Sequence, residues 1–331
     1  MGRLPLILAA IVAAAGSACA QECVLQRVVT LESPPQVYGH LMIPVTIQDH
    51  ASRLVLDTGG AWSLLDKDFA ALLALPAKGL SPEWGTYQDA TGERISKYVR
   101  VPSMKIGNLP VKGEVDFLLA PIAQGQSLEE VGGSLGLNVI SHYDVEIDNA
   151  HHLVTLYLPN EVEGCGVHWA DDAATFHFRL VNEIPFTRVN VDGEDVDALI
   201  DTGSSTTLMD LDFARRHFNL APNSPGVTDS GSQLLPGGKM AQFYRATVKK
   251  LTVSGITYEN VPVELAQLED TRLILGMHEL KHLHLYFAFK RKTIYATGAD
   301  AAREQAAPTT PPQAGVQSSP SSSSSPLSSS P

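Results

Sequence analysis

The 331-residue sequence predicts an all-β protein with two similar halves and few, short helices. Two observations lead to this prediction. The tripeptide Asp57-Thr58-Gly59 recurs as Asp201-Thr202-Gly203, which indicates an internal duplication. Both halves also consist mostly of short apolar or alternating runs rich in Val, Ile, Leu and Tyr, separated by turn residues, and such runs favour β-strands.

The duplication extends well beyond the two tripeptides. An apolar pair, Val55-Leu56 or Leu199-Ile200, precedes each one and predicts a buried strand. Ser134-Leu135-Gly136 corresponds to Ile274-Leu275-Gly276 further along the chain. At the spacing of the tripeptides, five more residues recur: Leu64, Asp66, Asp68, Phe69 and Ala70 match Leu208, Asp210, Asp212, Phe213 and Ala214. We therefore expect one lobe at residues 36–158, a linker at 159–174 and a second lobe at 175–298.

The best helical segments lie at residues 66–75 and 210–217, and a further short helix is expected after each Leu-Gly pair. Asp66 and Asp210 suit the N-cap position, because an aspartate side chain can accept hydrogen bonds from the free N–H groups of the first turn. Helix is otherwise scarce.

Both ends of the chain differ from the lobes. A signal peptide is predicted at residues 1–20 from Arg3, the apolar run that follows it and the ending Ala18-Cys19-Ala20. A signal peptide predicts export to the periplasm or the extracellular space. Since no apolar run is long enough to span a bilayer, we expect no stable membrane insertion. Acylation of Cys19 is the open alternative. Residues 301–331, rich in Ala, Pro and Ser, predict a disordered tail.

Charge and cysteines narrow the partners and the compartment. The formal net charge of -12 argues against a nucleic-acid partner, because phosphates attract basic surfaces. Cys23 and Cys165 would remain after removal of the signal peptide, in an oxidising compartment. They either form a disulfide or stay as two thiols, since spacing alone does not show that they approach each other.

Asp57 and Asp201 are the candidate catalytic residues, one from each half. Two neighbouring carboxylates cannot both ionise easily, so such a pair keeps one proton and can act as base and acid at once. Hydrolysis of a peptide bond without a metal needs both functions. A threonine and a glycine follow each aspartate. Thr58 and Thr202 are expected to hold the two loops by local hydrogen bonds. Gly59 and Gly203 are expected to allow close approach of the backbone.

With these motifs the chain resembles the pepsin and retropepsin clan of aspartic proteases, and within it the bacterial retropepsin-like proteins. The resemblance rests on the two apolar-apolar-Asp-Thr-Gly segments and on the supporting segments that end at Gly136 and Gly276, and it covers nearly all of both lobes. It implies two pseudo-symmetric retropepsin-like β-barrel lobes with the active site between them. It further implies a monomer that acts as a pseudo-dimer, cleaves peptide or protein substrates and needs no cofactor.

The resemblance also implies a flap hairpin over the cleft in each lobe. We expect the flaps at residues 87–96 and 229–240. The predicted flap and cleft residues are Tyr87, Thr91, Gly92, Gly237 and Gly238.

Two positions of the first lobe depart from the family pattern. Gly60 stands where Ser, Thr or Ala is common, and Ser134 stands where an aliphatic residue is usual. By resemblance, the hydroxyl of Ser204, which matches Gly60, would donate a hydrogen bond to Asp201. Asp57 lacks that donor, so we expect Asp57 to hold the shared proton more often.

Two alternatives stay open. His278-Glu279-Leu280-Lys281-His282 satisfies the H-E-x-x-H pattern of zinc metalloproteases, although that pattern needs a helix that presents both histidines and a third ligand. The other alternative is a protease fold that has lost turnover and binds peptides. The departures at Gly60 and Ser134 keep that interpretation open.

Overall fold

The computed structural model describes residues 24–34, 39–81, 87–88, 92, 94–122, 131–160, 167, 169, 173–235, 237 and 239–299. The predicted signal peptide and tail lie outside these residues, as do Thr91, Gly238, Cys23 and Cys165. In the described part of the chain, no helix is long and apolar enough to cross a membrane.

The described residues of the first half form short strands and two helices. The strands are β1 (Arg27–Glu32), β2 (Met42–Ile47), β3 (His50–Leu56), β4 (Leu64–Asp66), β5 (Lys78–Gly79), β6 (Tyr87–Gln88), β7 (Arg94–Ile95), β8 (Lys97–Val101), β9 (Met104–Ile106), β10 (Leu109–Pro110), β11 (Val115–Ala120), β12 (Gly133–Leu135), β13 (Asp144–Asp148) and β14 (Leu153–Tyr157). The helices are α1 (Lys67–Leu72) and α2 (Leu137–Ile140).

The second half repeats this plan with longer strands. They are β15 (Ala174–His177), β16 (Arg179–Val181), β17 (Ile184–Val191), β18 (Glu194–Ile200), β19 (Leu208–Asp210), β20 (Thr228–Leu234), β21 (Met240–Val253), β22 (Ile256–Ala266), β23 (Leu273–Leu275), β24 (Leu283–Ala288) and β25 (Thr293–Gly298). The helices are α3 (Leu211–Phe218) and α4 (Met277–Leu280). The protein is therefore mostly β with short helices, which confirms the predicted fold class.

Each lobe has its own main sheet, and the two sheets share a central arrangement. The nine-stranded sheet of the first lobe runs β10-β9-β2-β3-β12-β4-β11-β8-β5, and the eight-stranded sheet of the second runs β16-β17-β18-β23-β19-β22-β21-β20. In both, the short strand of the Leu-Gly segment lies between a parallel and an antiparallel neighbour. The strand that leads to each aspartate is the parallel one.

A six-stranded sheet joins the lobes, in the order β1-β14-β13-β24-β25-β15. β13 of the first half pairs with β24 of the second, with Val145 opposite Phe287 and Ile147 opposite Leu285. All four side chains are fully buried. The sequence did not predict this shared sheet; the repeat had suggested only two separate lobes.

Both predicted aspartate N-caps are present. Asp66 Oδ1 accepts from the N–H of Asp68 at 2.8 Å, and Asp210 Oδ1 accepts from the N–H of Phe213 at 2.7 Å. α1 ends at Leu72, earlier than predicted, because Ala74 adopts a φ of 52° that a helix does not allow.

Candidate active site

Asp57 and Asp201 lie at corresponding positions, each directly after a buried strand of its lobe. The N–H of Asp57 donates to the carbonyl of Leu135 at 3.0 Å, and the N–H of Asp201 donates to the carbonyl of Leu275 at 3.0 Å. Each aspartate is therefore anchored by the Leu-Gly segment of its own lobe, and both carboxylates are brought to the boundary between the lobes.

The loop threonines link the two lobes to each other. The N–H of Thr58 donates to Oγ1 of Thr202, and the N–H of Thr202 donates to Oγ1 of Thr58, both at 3.1 Å. The Thr58 hydroxyl donates to the carbonyl of Ile200 and the Thr202 hydroxyl to that of Leu56. The sequence predicted that each threonine would hold its own loop, whereas these bonds tie each loop to the other.

The loop glycines make room for the aspartate of the opposite lobe. A Cβ atom on Gly59 would lie 2.3 Å from Cγ of Asp201, and one on Gly203 would lie 2.6 Å from Cγ of Asp57. Real Cβ atoms do not approach other atoms this closely. The N–H of each glycine donates to the aspartate of its own lobe, at 3.1 Å for Gly59 and 2.7 Å for Gly203. Each glycine thus contacts both carboxylates.

Gly136 and Gly276 lie behind the active loops. A Cβ on Gly136 would be 2.7 Å from the carbonyl oxygen of Gly60, and one on Gly276 would be 2.1 Å from that of Thr206. The N–H of Gly136 donates to Ser63 Oγ at 3.0 Å, and that of Gly276 to Thr207 Oγ1 at 3.1 Å. These two glycines let each support segment pass directly against its active loop.

The H-E-x-x-H segment has a different geometry from the one that zinc binding requires. α4 ends at Leu280, so that His278 and His282 do not share a helical face. The carboxylate of Glu279 is buried, accepts a hydrogen bond from the Thr207 hydroxyl and contacts the His278 ring at 2.6 Å. Glu279 therefore supports the active loop of the second lobe through Thr207. No cluster that could hold a metal occurs among the described residues.

Burial controls the titration of the two aspartates. It raises the pKa of Asp57, while the Ser134 hydroxyl and the N–H groups of Gly60 and Gly59 work in the opposite direction. Burial, followed by the negative charge of Asp57, raises the pKa of Asp201 to about 8. Both shifts oppose double ionisation, so the pair keeps one proton over a wide pH range.

The expected hydrogen bond from Ser204 to Asp201 is wrong. The Ser204 hydroxyl donates to the carbonyl of Thr206 at 2.7 Å, and the backbone N–H of Ser204 is the group that contacts Asp201. A serine hydroxyl has one proton, so it cannot serve both acceptors. The expectation that Asp57 holds the shared proton therefore loses its basis.

A short hairpin of the first lobe lies beside the active loop. Tyr87 pairs with Ile95, and its ring packs edge-on against Trp62 with 5.3 Å between the ring centroids. Gly92 has a φ of 82°, and a Cβ there would lie 3.0 Å from Glu269 Oε2 of the second lobe. This hairpin therefore reaches from the first lobe to the second.

The second lobe has a longer hairpin at the predicted position. β20 and β21 pair from Thr228 with Arg245 to Leu234 with Met240, and Gly237 lies in the turn between them. The N–H of Leu235 donates to the carbonyl of Lys239 at 3.0 Å and closes this turn.

His40 lies at the site but was not found from the sequence. Its ring lies against the backbone of Gly203, and burial lowers its pKa. At the repeat spacing its counterpart is Ile184, so the comparison of the two halves carried no signal for a polar residue here. A search for titratable residues shortly before β2 could have found it.

Comparisons with known proteins match one segment in each half of the chain. A family model described as "Aspartyl protease" matches residues 43–139, and one described as "gag-polyprotein putative aspartyl protease" matches residues 187–282. A similar solved structure is the crystal structure of a retropepsin-like aspartic protease from Rickettsia conorii, at 14% identity and a TM-score of 0.31. That match covers 38% of this chain and 96% of the other chain. No curated protein matches the chain.

Proposed function

Since the chain carries two retropepsin-like aspartyl protease domains, at residues 43–139 and 187–282, we propose that it is an aspartic endopeptidase that uses Asp57 and Asp201. The observation that carries this proposal is the arrangement of the two loops. Two half-buried carboxylates come from equivalent positions, and each is in contact with the glycine of the opposite loop. The substrates are peptides or unfolded protein segments.

The two aspartates divide the acid and base functions of hydrolysis. The ionised carboxylate removes a proton from water, whose oxygen attacks the carbonyl carbon, while the protonated carboxyl group gives its proton to the carbonyl oxygen. The proton taken from water then passes to the amide nitrogen as the C–N bond breaks. The second carboxyl group recovers its proton from the hydroxyl group of the intermediate, so the pair returns to its starting state.

The surroundings of the dyad support this assignment. The reciprocal threonine bonds fix the relative position of the two loops before substrate binds, and preorganised geometry of this kind lowers the barrier of a reaction. The hairpin that carries Tyr87 packs against Trp62 beside the first loop and reaches Glu269. We propose that this hairpin is the flap that covers a bound peptide and excludes water from the site.

The test is cleavage of a mixed peptide library by the purified protein between pH 3 and pH 8. We expect turnover that a statine-type inhibitor blocks, with a loss of at least about a hundredfold in Asp57→Asn and in Asp201→Asn, because each change removes one half of the acid-base pair. Asp195→Asn, an exposed residue, is the matched control.

Three outcomes would overturn the proposal in different ways. A near-normal rate in either active-site variant would exclude the dyad. Peptide binding without cleavage would favour the peptide-binding alternative. Inhibition by a chelator would favour a metal-dependent mechanism.

We also propose that the chain is exported and that residues 1–20 are removed. This proposal rests on Arg3, the apolar run that follows it and the Ala18-Cys19-Ala20 ending. N-terminal sequencing of the protein recovered from the periplasm or the medium should start near Gln21. Retention of the full chain in the cytoplasm would contradict it.

A further inference from the structure

Ser134 occupies the centre of the supporting strand in the first lobe. On β12 it is in register with Val55 of β3 and Leu64 of β4. Ile274 has the same place in the second lobe, in register with Leu199 and Leu208. The two sites have the same backbone plan, but one carries a hydroxyl and the other an aliphatic side chain.

The register places the side chain of Ser134 on the face of the sheet that carries Asp57. Alternate residues of a strand point to opposite faces, so Val55 and Asp57 share one face while Leu54 and Leu56 point into the core of the lobe. In-register neighbours on adjacent strands also share a face. Ser134 therefore lies beside Val55, close to the catalytic carboxylate.

The hydroxyl of Ser134 needs an acceptor. Its residue is only 7% exposed, and its Oγ has no hydrogen-bond partner among the described residues. Buried hydroxyls are normally hydrogen-bonded, because a buried polar group without a partner is unfavourable. The Asp57 carboxylate is near enough for this hydroxyl to lower its pKa against the effect of burial.

Among the described residues, no equivalent hydroxyl lies on the supporting strand beside Asp201. Ile274 packs into an apolar cluster with Phe186, Leu199 and Phe243, and the Ser204 hydroxyl donates to the carbonyl of Thr206. The backbone N–H groups are similar in the two loops. The side chain on the supporting strand is thus a clear chemical difference between the environments of the two aspartates.

We propose that Ser134 is a positioning residue whose hydroxyl donates a hydrogen bond to Asp57, which makes Asp57 the ionised partner and leaves the shared proton on Asp201. This inference rests on the proposed function and assigns its two roles. Asp57 takes the proton from water, and Asp201 donates its proton to the carbonyl oxygen of the substrate.

The first test is the pH dependence of kcat/KM on one peptide for three variants. Ser134→Ala removes the donor, so the lower limb should move upward by about one pH unit, while the upper limb, set by Asp201, stays in place. Ser134→Thr keeps a hydroxyl and should restore the lower limb. Ile274→Ala also truncates the supporting strand, but in the other lobe and without a hydroxyl, and should leave the lower limb in place.

The second test is a titration of the carboxyl carbons by NMR in protein that contains ¹³C-labelled aspartate, without substrate. Disappearance of signals in Asp57→Asn and Asp201→Asn assigns the pair. The lower apparent pKa of the pair should rise by about one unit in Ser134→Ala and return in Ser134→Thr.

An unchanged lower apparent pKa in Ser134→Ala would overturn the inference. The titration needs no turnover, so its result is separate from the proposed function. If the wild type cleaves no peptide but the lower apparent pKa still rises in Ser134→Ala, the protease assignment is contradicted. The hydrogen bond between Ser134 and Asp57 is then still established.

Discussion

Thr58 and Thr202 exchange hydrogen bonds across the boundary between the lobes, each through its backbone N–H to the hydroxyl of the other, at 3.1 Å in both directions. Both residues are fully buried. Because each threonine directly follows a catalytic candidate, the same bonds that join the lobes also fix the separation of the two carboxylates. The hydrogen bonds that dock the two lobes therefore also assemble the candidate active site.

Loss of either hydroxyl should therefore destabilise the whole protein. Thr58→Val and Thr202→Val each leave a buried N–H and a buried carbonyl without a partner, so each should lower the free energy of unfolding by about 2 kcal/mol or more. The double variant should lose less than the sum, because the two hydroxyls belong to one network. Urea unfolding measures all three.

Thr252→Val is the matched control for these variants. Thr252 contacts the hydroxyl of Thr257 at 3.1 Å, but that pair is exposed. Its loss should change the free energy of unfolding by less than about 0.5 kcal/mol. Strict additivity of the two active-loop variants, or effects as small as in the control, would contradict a shared network.

In each active loop, one glycine contacts the aspartate of the opposite loop. Gly59→Ala and Gly203→Ala should each lower kcat by at least about a hundredfold, because the new methyl group must displace a carboxylate. Gly79→Ala is the control, since no atom of the described residues lies within 4 Å of a Cβ at that exposed glycine. Activity of the loop variants at the level of the control would mean that the loops can separate without loss of function.

Gly60 has a steric role of its own. A Cβ at this position would lie 2.7 Å from Oδ2 of Asp57, so a serine would push against the carboxylate before its hydroxyl could donate to it. We expect Gly60→Ser to lower kcat/KM at every pH and to leave the limbs of the pH profile in place. A shift of a limb with a normal maximal rate would instead mean that the site tolerates a hydroxyl donor here.

Much of this site could be predicted from the sequence, because its main features are repeated. Asp57 and Asp201 stand out when the two halves are aligned, and each half predicts its own strands and caps from local patterns. The pairing of β13 with β24 could not be predicted, since it joins segments far apart in the chain. The sequence also could not show which acceptor the Ser204 hydroxyl selects, because Thr206 and Asp201 compete for a single proton.

The raised pKa of Asp201 should also appear in the stability of the protein. Burial and the negative charge of Asp57 raise the pKa of Asp201 from its ordinary value of 3.8 to about 8, so the folded protein binds the proton more tightly than the unfolded chain. The stability that Asp201 contributes is therefore present at low pH and is lost as the pH rises from about 4 towards 8. An asparagine carries no charge and avoids this loss.

Asp201→Asn should consequently be more stable relative to the wild type at pH 8 than at pH 4, although it is expected to be inactive. Thermal unfolding at a series of pH values measures the difference in Tm. Asp195→Asn, which changes an exposed carboxylate, should show no such trend. A difference between Asp201→Asn and the wild type that is constant with pH would contradict the raised pKa.

Cys23 and Cys165 both lie outside the described residues. Leu25 and Val167, each two residues after one of the cysteines, pack in the same apolar cluster. Of the two alternatives that the sequence leaves open, we therefore predict the disulfide in the exported protein. A bridge would close a loop of roughly 140 residues and stabilise the fold by about 4 to 5 kcal/mol if it adds no strain.

A non-reducing peptide map should contain the linked peptides, and Cys23→Ser should lower Tm by the same amount as Cys165→Ser. Two free thiols in protein purified from the periplasm or the medium would exclude the bridge, because that compartment would have allowed it to form.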